Sequence, residues 1–458
     1  MTKKQNLKLF NTLTGKKEIF KPIRKEFVGI YSCGPTVYSY QHIGNLRSYI
    51  FSDILKRTLI YNGYKVKHVI NVTDVGHLTS DADEGEDKVE RAARKEHKSA
   101  KEITNYYWSI FKEDFKKLNI IDPDVWPKAS EHIQEQIALI QKLEKNGFTY
   151  RTSDGIYFDT SKFKNYGELA GLKKQKLLGG KRVDLGGKRN ITDFALWKFS
   201  EKPGLRQQEW ESPWGIGFPG WHVECSAMSM KYLGERFDIH TGGIDHIPIH
   251  HTNEIAQNEG ALGHKVVNFW IHGAFLNFQG QKISKSQGGL FTLSELEAKG
   301  FKPLAYRYLI LTAHYRRPLN FSLEALKKAQ NAYERLKNIV SEIKNDKGIN
   351  QKYLAAFNSA INDDLDAPRA LSVLWKMLRD KTAKGKIKTI IEMDKVFGLG
   401  LTESEKIEVP PKIQELIIER EKARKAKDFE KSDALRKKIK ELGYQVEDTL
   451  NGPKIKKI

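Results

Sequence analysis

Phe27-Val28-Gly29-Ile30-Tyr31, then His42-Ile43-Gly44-Asn45, then Val66-Lys67-His68-Val69-Ile70-Asn71-Val72: the reading of this run decides the fold. The first segment is short and apolar apart from its glycine, the pattern of a strand buried on both faces. Leu46, Ile50 and Ile54, with Phe51, Leu55 and Leu59, recur at helical spacing, and Asn62-Gly63 closes the helix. The third segment is again strand-like. Strand, helix and strand in this order predict one βαβ unit of a doubly wound parallel sheet.

Working outward, a second unit appears far downstream. Phe237-Asp238-Ile239-His240 reads as a strand, residues 248–259 as a helix, and Val266-Val267-Asn268-Phe269-Trp270-Ile271 as another strand. The expected class is therefore α/β: a split Rossmann-type doubly wound parallel sheet with an inserted domain, followed by an α-helical C-terminal region. Residues 1–82 and 216–275 form the two halves of the nucleotide-binding domain. Residues 83–215 form the inserted connective region, in which 83–147 read as charged amphipathic helix and 148–215 as irregular chain. Gly179-Gly180-Lys181-Arg182 and Gly186-Gly187-Lys188-Arg189 lie there, but no Ser or Thr follows either lysine, so neither is a P-loop. Residues 276–325 form a loop and stem-contact region. From 326 to 409 helical periodicity dominates: Ala325, Ala329, Ala332, Leu336 and Val340 trace one stripe, and residues 365–378 carry another helix. Pro410-Pro411 marks a break, and residues 410–458 read as two short helices and a basic tail with Lys454, Lys456 and Lys457.

The net charge is +21, from 78 Lys and Arg against 57 Asp and Glu, and such a field attracts polyanions, nucleic acid foremost. A lysine-rich composition alone would produce the same number. No run approaches about 18 apolar residues, so no membrane partner is expected. The basic start Met1-Thr2-Lys3-Lys4-Gln5 lacks an apolar core behind it, and the expected location is the cytoplasm. Cys33 and Cys225 are the only cysteines, too few for a disulfide scaffold.

Three constellations carry chemistry. His42 and Gly44 stand at the mouth of a helix, where the glycine admits a phosphate and the helix N-terminus and imidazole favour its charge. Lys282-Ile283-Ser284-Lys285-Ser286, between Gly280 and Gly288-Gly289, offers two ammonium groups that could close over a triphosphate. Cys33, Cys225, His250 and Glu254 include two soft thiolates, an imidazole and a carboxylate, with the last two sharing a helix face. That is a plausible zinc set. Without a template the same residues read more simply as two buried cysteines and a surface His/Glu pair, and His240, His246 and His251 compete with His250.

The order of the 42–45 and 282–286 segments is similar to the paired ATP-handling signatures of class I aminoacyl-tRNA synthetases. More closely, Cys33-Gly34-Pro35-Thr36-Val37-Tyr38, Asn71-Val72-Thr73-Asp74, Asp193-Phe194-Ala195-Leu196-Trp197-Lys198, Pro219-Gly220-Trp221-His222-Val223-Glu224-Cys225-Ser226-Ala227-Met228 and His250-His251-Thr252-Asn253-Glu254 resemble the cysteinyl-tRNA synthetases, in order and spacing from about residue 8 onward. The resemblance implies a ligase that activates L-cysteine with ATP to cysteinyl-adenylate and transfers it to the 3′ end of tRNA(Cys). It implies one Zn²⁺ on Cys33, Cys225, His250 and Glu254, with the sulfur of cysteine as a further ligand, and Mg²⁺ accompanying ATP. It further implies that Gly34, Thr73 and Trp221 line the amino-acid pocket. His42, Gly44, Asn45, Gly242, Gly243, Asp245, Lys282, Ser284 and Lys285 would bind ATP, with His42, Asn45, Lys282 and Lys285 catalytic. The C-terminal helices, including Ser432-Asp433-Ala434-Leu435-Arg436, resemble the tRNA-stem and anticodon modules of a monomer. Two features depart from the family pattern. Residues 76–85 intervene before Asp87-Lys88, where the family often runs directly into an acidic Asp-Asp-Lys segment. Asn45 stands where class I enzymes commonly have histidine. A ligase that joins activated cysteine to an amino sugar would keep the zinc and ATP residues but has less need of the basic helical C-terminus. A non-catalytic RNA-binding descendant would have lost lysines of the 282–286 loop or a metal ligand, and none is lost.

Overall fold

A computed structural model describes residues 6–76, 87–171, 187–278, 281–282, 291–343, 347–403, 410–449 and 452–457. Its contacts separate two units, Met1–Leu401 and Thr402–Ile458.

The first unit opens with a hairpin of β1 (Lys8–Asn11) and β2 (Lys16–Ile19). Strand β3 (Val28–Ser32) is buried at every position, as its unbroken apolar run requires. Helix α1 (Ile43–Tyr61) buries Leu46, Ile50, Ile54, Leu55 and Leu59, and Gly63 ends it with φ +85°. Strand β4 (Val66–Ile70) returns parallel to β3, with Val28 opposite Val66 and Ser32 opposite Ile70. The helices α2 (Lys88–Glu96), α3 (Ala100–Lys117) and α4 (Ile133–Lys145) agree with the charged periodicity of this stretch. α3 begins in a capping box in which Ser99 and Glu102 satisfy each other's backbone N–H.

Residues 148–215 are not irregular. They hold β5 (Thr149–Arg151), β6 (Gly155–Phe158) and β7 (Phe194–Phe199), which with β8 (Gly217–Pro219) form a four-stranded antiparallel sheet in that order. Strands this short show no period, and β6 and β7 pair across a long stretch of which residues 172–186, with the Gly179-Gly180 pair, lie outside the described residues. Asp193 ties the stretch together: its carboxylate accepts from the Tyr150 hydroxyl (2.8 Å), Thr160 N–H (2.9 Å) and Asn190 N–H (2.9 Å).

Helix α5 (Trp221–Leu233), β9 (Phe237–Gly243), α6 (His250–Leu262) and β10 (Val267–Gly273) complete the parallel sheet begun by β3 and β4. β9 pairs in parallel with both β3 and β10, giving the order β10-β9-β3-β4. The connections leave the two central strands in opposite directions across the sheet. The crevice at their carboxyl ends is the place where such sheets bind ligands.

Beyond it, β11 (Leu276–Phe278) pairs with β12 (Gln281–Lys282) and, in parallel, with β13 (Leu319–Phe321), with α7 (Leu293–Ala298) and α8 (Pro303–Leu311) between them. Four helices follow: α9 (Leu323–Glu342), α10 (Gln351–Ile361), α11 (Ala367–Arg379) and α12 (Lys386–Phe397). The stripe on α9 is seated by Leu326, Ala329, Tyr333, Leu336 and Val340, with Ala325 and Ala332 only half-buried.

The second unit has its own small core of Ile413, Leu416, Ile417, Leu435, Ile439, Tyr444 and Val446. Helix α13 (Pro411–Lys425) starts with a proline at its first position, and α14 (Phe429–Glu441) follows. The expected basic tail is instead the second strand of a hairpin, β14 (Tyr444–Thr449) with β15 (Gly452–Lys457). Its alternation is hidden in sequence by lysines, and pairing with a partner strand decides it. No helix among the described residues is long and apolar enough to cross a membrane.

Candidate active site and metal centre

Cys33 follows the last residue of β3, and Gly34 follows it because nothing larger fits: a Cβ there would overlap the backbone carbonyl of Asn71. Asn71 reaches back, its Oδ1 accepting from Gly34 N–H at 2.8 Å and its amide donating to Thr73 Oγ1 at 3.0 Å. Thr73 donates in turn to Glu224 Oε2 at 3.2 Å. Burial holds the Glu224 carboxyl well above its usual range, with the charge of Asp74 adding to the effect.

Cys225 comes from α5, and His250 and Glu254 from one face of α6. The ligand atoms of Cys33, Cys225, His250 and Glu254 all lie within 4.8 Å of one another. The expected surface His/Glu pair is therefore deeply buried, with Glu254 fully enclosed and His250 only 3% exposed. His250 Nε2 lies 3.1 Å from Glu254 Oε1, and His250 Nδ1 lies 2.8 Å from His222 Nδ1. Helical phase brings His250 and Glu254 together, four residues apart; sequence alone could not exclude His251.

The competing histidines are present too. Cys33, His240, His251 and Glu254 form a second convergent group sharing two members with the first. His240 Nε2 is 2.8 Å from Glu254 Oε2, His251 Nε2 is 3.1 Å from Cys33 Sγ, and His251 Nδ1 is 2.7 Å from His272 Nε2. The sequence names His240, with His246 and His251, as a competitor of His250, but assigns no role to His222 or His272. The available signal was concentration: seven of the chain's 13 histidines (222, 240, 246, 250, 251, 264 and 272) fall in one short span.

The electrostatics suit a cation. A hydrogen bond with Cys33 brings the Cys225 thiol down to about 7 against the effect of burial, with His250 assisting. Burial pushes the Cys33 thiol up, and its contact with Cys225 adds to the effect. Burial alone would lower His250, yet its bonds to Cys225 and Glu254 raise it to about 10. Burial likewise opposes ionisation of Glu254, but His240 and His250 hold its carboxyl far below the usual range. His246 is pushed down to about 4 by burial and by the charge of His250, and burial lowers His251 and His272 as well. A proton on His250 thus sits among anionic acceptors where a divalent ion could replace it. Two sulfurs, a nitrogen and a carboxylate oxygen fit zinc.

In front of these groups lies a cavity of about 420 Å³ lined by Cys33, Gly34, His42, Gly44, Asn45, Trp221, Gly242, Gly243 and Asp245, among others. The sheet thereby collects most of the predicted ATP and amino-acid residues at one crevice. Thr73, Cys225, His250 and Glu254 are buried behind its wall. His42 caps α1: its Nδ1 accepts from Asn45 N–H at 3.3 Å, which selects the Nε2–H tautomer. The first turn of α1 is anchored from outside, by the Tyr306 hydroxyl to Ile43 O (2.6 Å) and by Arg47 to Arg317 O (2.6 Å). Gly242 is the penultimate residue of β9, where a Cβ would come within 2.6 Å of His246 and His251. The backbone of Lys282, in β12, pairs with Asn277 of β11, while Ser284 and Lys285 lie outside the described residues, as do residues 77–85 of the predicted 76–85 loop.

A crevice at the switch point of a parallel sheet, with a helix mouth on one side and buried thiols on the other, is the frame of a class I tRNA synthetase. Residues 19–331 match the family model of the tRNA synthetases class I (C) catalytic domain. The fold is similar to that of Mycobacterium tuberculosis methionyl-tRNA synthetase solved with methionyl-adenylate, with a TM-score of 0.58 at 14% identity over 82% of this chain and 88% of that one. Residues 407–452 match the cysteinyl-tRNA ligase anticodon binding domain. The cysteine--tRNA ligase 1 of Burkholderia lata is 50% identical over 453 residues, 98% of this chain and 96% of that protein. The cysteine--tRNA ligase of Treponema denticola is 44% identical over 97% of this chain and 98% of that protein. The chain belongs to the cysteine--tRNA ligase family.

Proposed function

We propose that the protein activates L-cysteine with ATP and esterifies it to the 3′ end of tRNA(Cys). The observation that carries this reading is the burial of two thiols, an imidazole and a carboxylate within 4.8 Å of one another, directly behind a cavity edged by a helix mouth. Cys33, Cys225, His250 and Glu254 would hold Zn²⁺. Bound there, it would supply a soft Lewis acid that takes the sulfur of cysteine as thiolate and accepts a serine hydroxyl poorly. An apolar pocket alone separates such near-isosteres by only about 1–3 kcal/mol.

The residues of the chain do the rest by positioning and charge. Gly34, Thr73 and Trp221 shape the amino-acid end. Gly242, Gly243 and Asp245 receive the adenosine side of ATP, which arrives with Mg²⁺. The carboxylate of cysteine attacks the α-phosphorus, the bond to the bridging oxygen breaks, and pyrophosphate leaves. His42, through Nε2–H, and Asn45 stabilise charge on the α-phosphate, while Gly44 keeps the approach open. Lys282 and Lys285, with Ser284, neutralise the departing pyrophosphate. The terminal ribose hydroxyl of tRNA then attacks the acyl carbon, and AMP leaves.

The domain assignments follow: 1–82 and 216–275 as the catalytic halves, 83–215 as the insert, 276–325 as the ATP-loop and stem-contact region, 326–409 as the helical tRNA-binding domain and 410–458 as the anticodon-binding region of a cytoplasmic monomer. The match of residues 407–452 to an anticodon-binding model supports tRNA, rather than an amino sugar, as the acceptor. Cysteine-dependent pyrophosphate exchange measured together with metal content tests the reading. One zinc per chain with exchange that ignores serine is the expected result; exchange with serine equal to that with cysteine would end it.

A further inference from the structure

Among the described residues three large aromatic side chains are exposed: Tyr40, Tyr106 and Phe429. Scattered apolar exposure is ordinary. Here, however, Tyr40 and Tyr106 touch each other, and Tyr40 lines the mouth of the active-site cavity. They come from different elements, the loop between β3 and α1 and the middle of α3. Their hydroxyls are 3.1 Å apart, yet they remain 44% and 43% exposed. Tyr107 braces them from behind. Its ring meets that of Tyr40 edge-on at 5.1 Å, and its hydroxyl donates to Glu96 at 2.6 Å.

One cation sits on the pair and others lie on or reach the same elements or line the same cavity. The Lys98 ammonium lies 4.9 Å from the Tyr106 ring centre, although it also pairs with Glu96 at 3.0 Å. Lys101 is exposed in the first turn of α3, and Lys128 reaches Asn105 Oδ1 at 3.4 Å, next to Tyr106. Lys88 lines the same cavity, its ammonium 5.9 Å from the Trp221 ring centre. The two partly exposed rings stand at 77° to each other with centres 6.5 Å apart, so each offers its own exposed surface beside lysines; on a chain of net charge +21, unpaired bases stack on such rings while cations track the backbone.

We propose that Tyr40 and Tyr106 form a stacking platform for the unpaired 3′ end of tRNA as it enters the cavity. The inference rests on the function proposed above and adds the residues that receive the single strand. A duplex buries its base faces, so the platform suits the single-stranded end and not the stem.

The test compares Tyr106→Ala and Tyr106→Phe in the full-length protein, using tRNA(Cys) intact or trimmed of its unpaired 3′ nucleotides. Tyr106→Ala is expected to weaken binding of intact tRNA about tenfold, and Tyr106→Phe, which keeps the ring, less than about twofold. Trimmed tRNA should bind all three proteins alike, and pyrophosphate exchange, which needs no tRNA, should be unchanged. Equal affinity of Tyr106→Ala and wild type for intact tRNA would overturn the platform. So would an equal loss with trimmed tRNA, or a loss in Tyr106→Phe as large as in Tyr106→Ala. Wild-type protein without cysteine-dependent exchange would overturn the underlying reading instead, a result distinguishable from all of these.

Discussion

On the thiol side of the cavity Cys225, His250 and Glu254 are at most 3% exposed and Cys33 is half-buried, each bonded to a neighbour that is itself bonded. On the phosphate side His42 is half-exposed, Asn45 is exposed, and the glycines at 44, 242 and 243 leave room rather than fill it. The contrast follows from the two ligands each side is proposed to meet. Telling sulfur from oxygen takes fixed donors in a dry site, where a wrong partner cannot borrow water. Triphosphate must enter, be neutralised during one step and leave as pyrophosphate, which suits an open helix mouth and a closing loop.

The largest effect should come from breaking the rigid side. Cys225→Ala is expected to lose the metal and to lower cysteine-dependent exchange by about a thousandfold or more. Metal analysis and exchange on one preparation check both; full metal occupancy in the variant would remove the distinction between the sides. Next, Lys285→Ala should slow single-turnover adenylate formation about 100- to 1,000-fold while leaving cysteine affinity and metal content intact. An unchanged single-turnover rate would show that the phosphate side works without its loop. His42→Ala should be milder, about 10- to 100-fold in the same assay, with about 1 kcal/mol of stability lost with the helix cap. Denaturant unfolding separates those two losses.

The smallest expected change lies outside both sides and calibrates them. Asp114 of α3 is buried, which raises its carboxyl to about 7 despite the opposing charge of Lys117. Unfolded, the same group titrates near about 3.9, so between roughly pH 4 and 7 the folded state binds more protons and stability falls as pH rises. Asp114→Asn removes that slope. It should gain on the order of 1 kcal/mol at pH 8, with the gain shrinking on acidification, and leave exchange unchanged. A gain that does not vary with pH would locate the effect in packing rather than ionisation.

How much of this was legible depended on the range of the signal. The β3-α1-β4 unit could be read directly because Leu46, Ile50, Ile54 and Leu59 repeat along a long helix between two apolar runs. The strands β5 to β8 could not, because each is too short to carry a period and, beyond the β5–β6 hairpin, the pairing partners lie far apart in the chain. The β15 strand looked like a basic tail for a related reason: its pairing with β14, not its composition, makes it a strand. In the site, His42, Gly44 and Asn45 were legible as a group because they are adjacent. Thr73 and Glu224, which meet at 3.2 Å from separate elements, were not legible as a pair.

The amino-acid order by itself determined the local pieces: the buried strands, the amphipathic helices, the helix mouth at His42, and the i,i+4 relation of His250 to Glu254. Only the tertiary structure decided that Cys33 and Cys225 converge with that pair, that the pair is buried rather than on the surface, and that Tyr40 meets Tyr106. The reason is the range of the forces involved. Backbone hydrogen bonds and side-chain periodicity act over a few residues and leave their mark in sequence, whereas a metal-ready cluster exists only where the parallel pairing of β3 with β9 brings distant segments into one crevice.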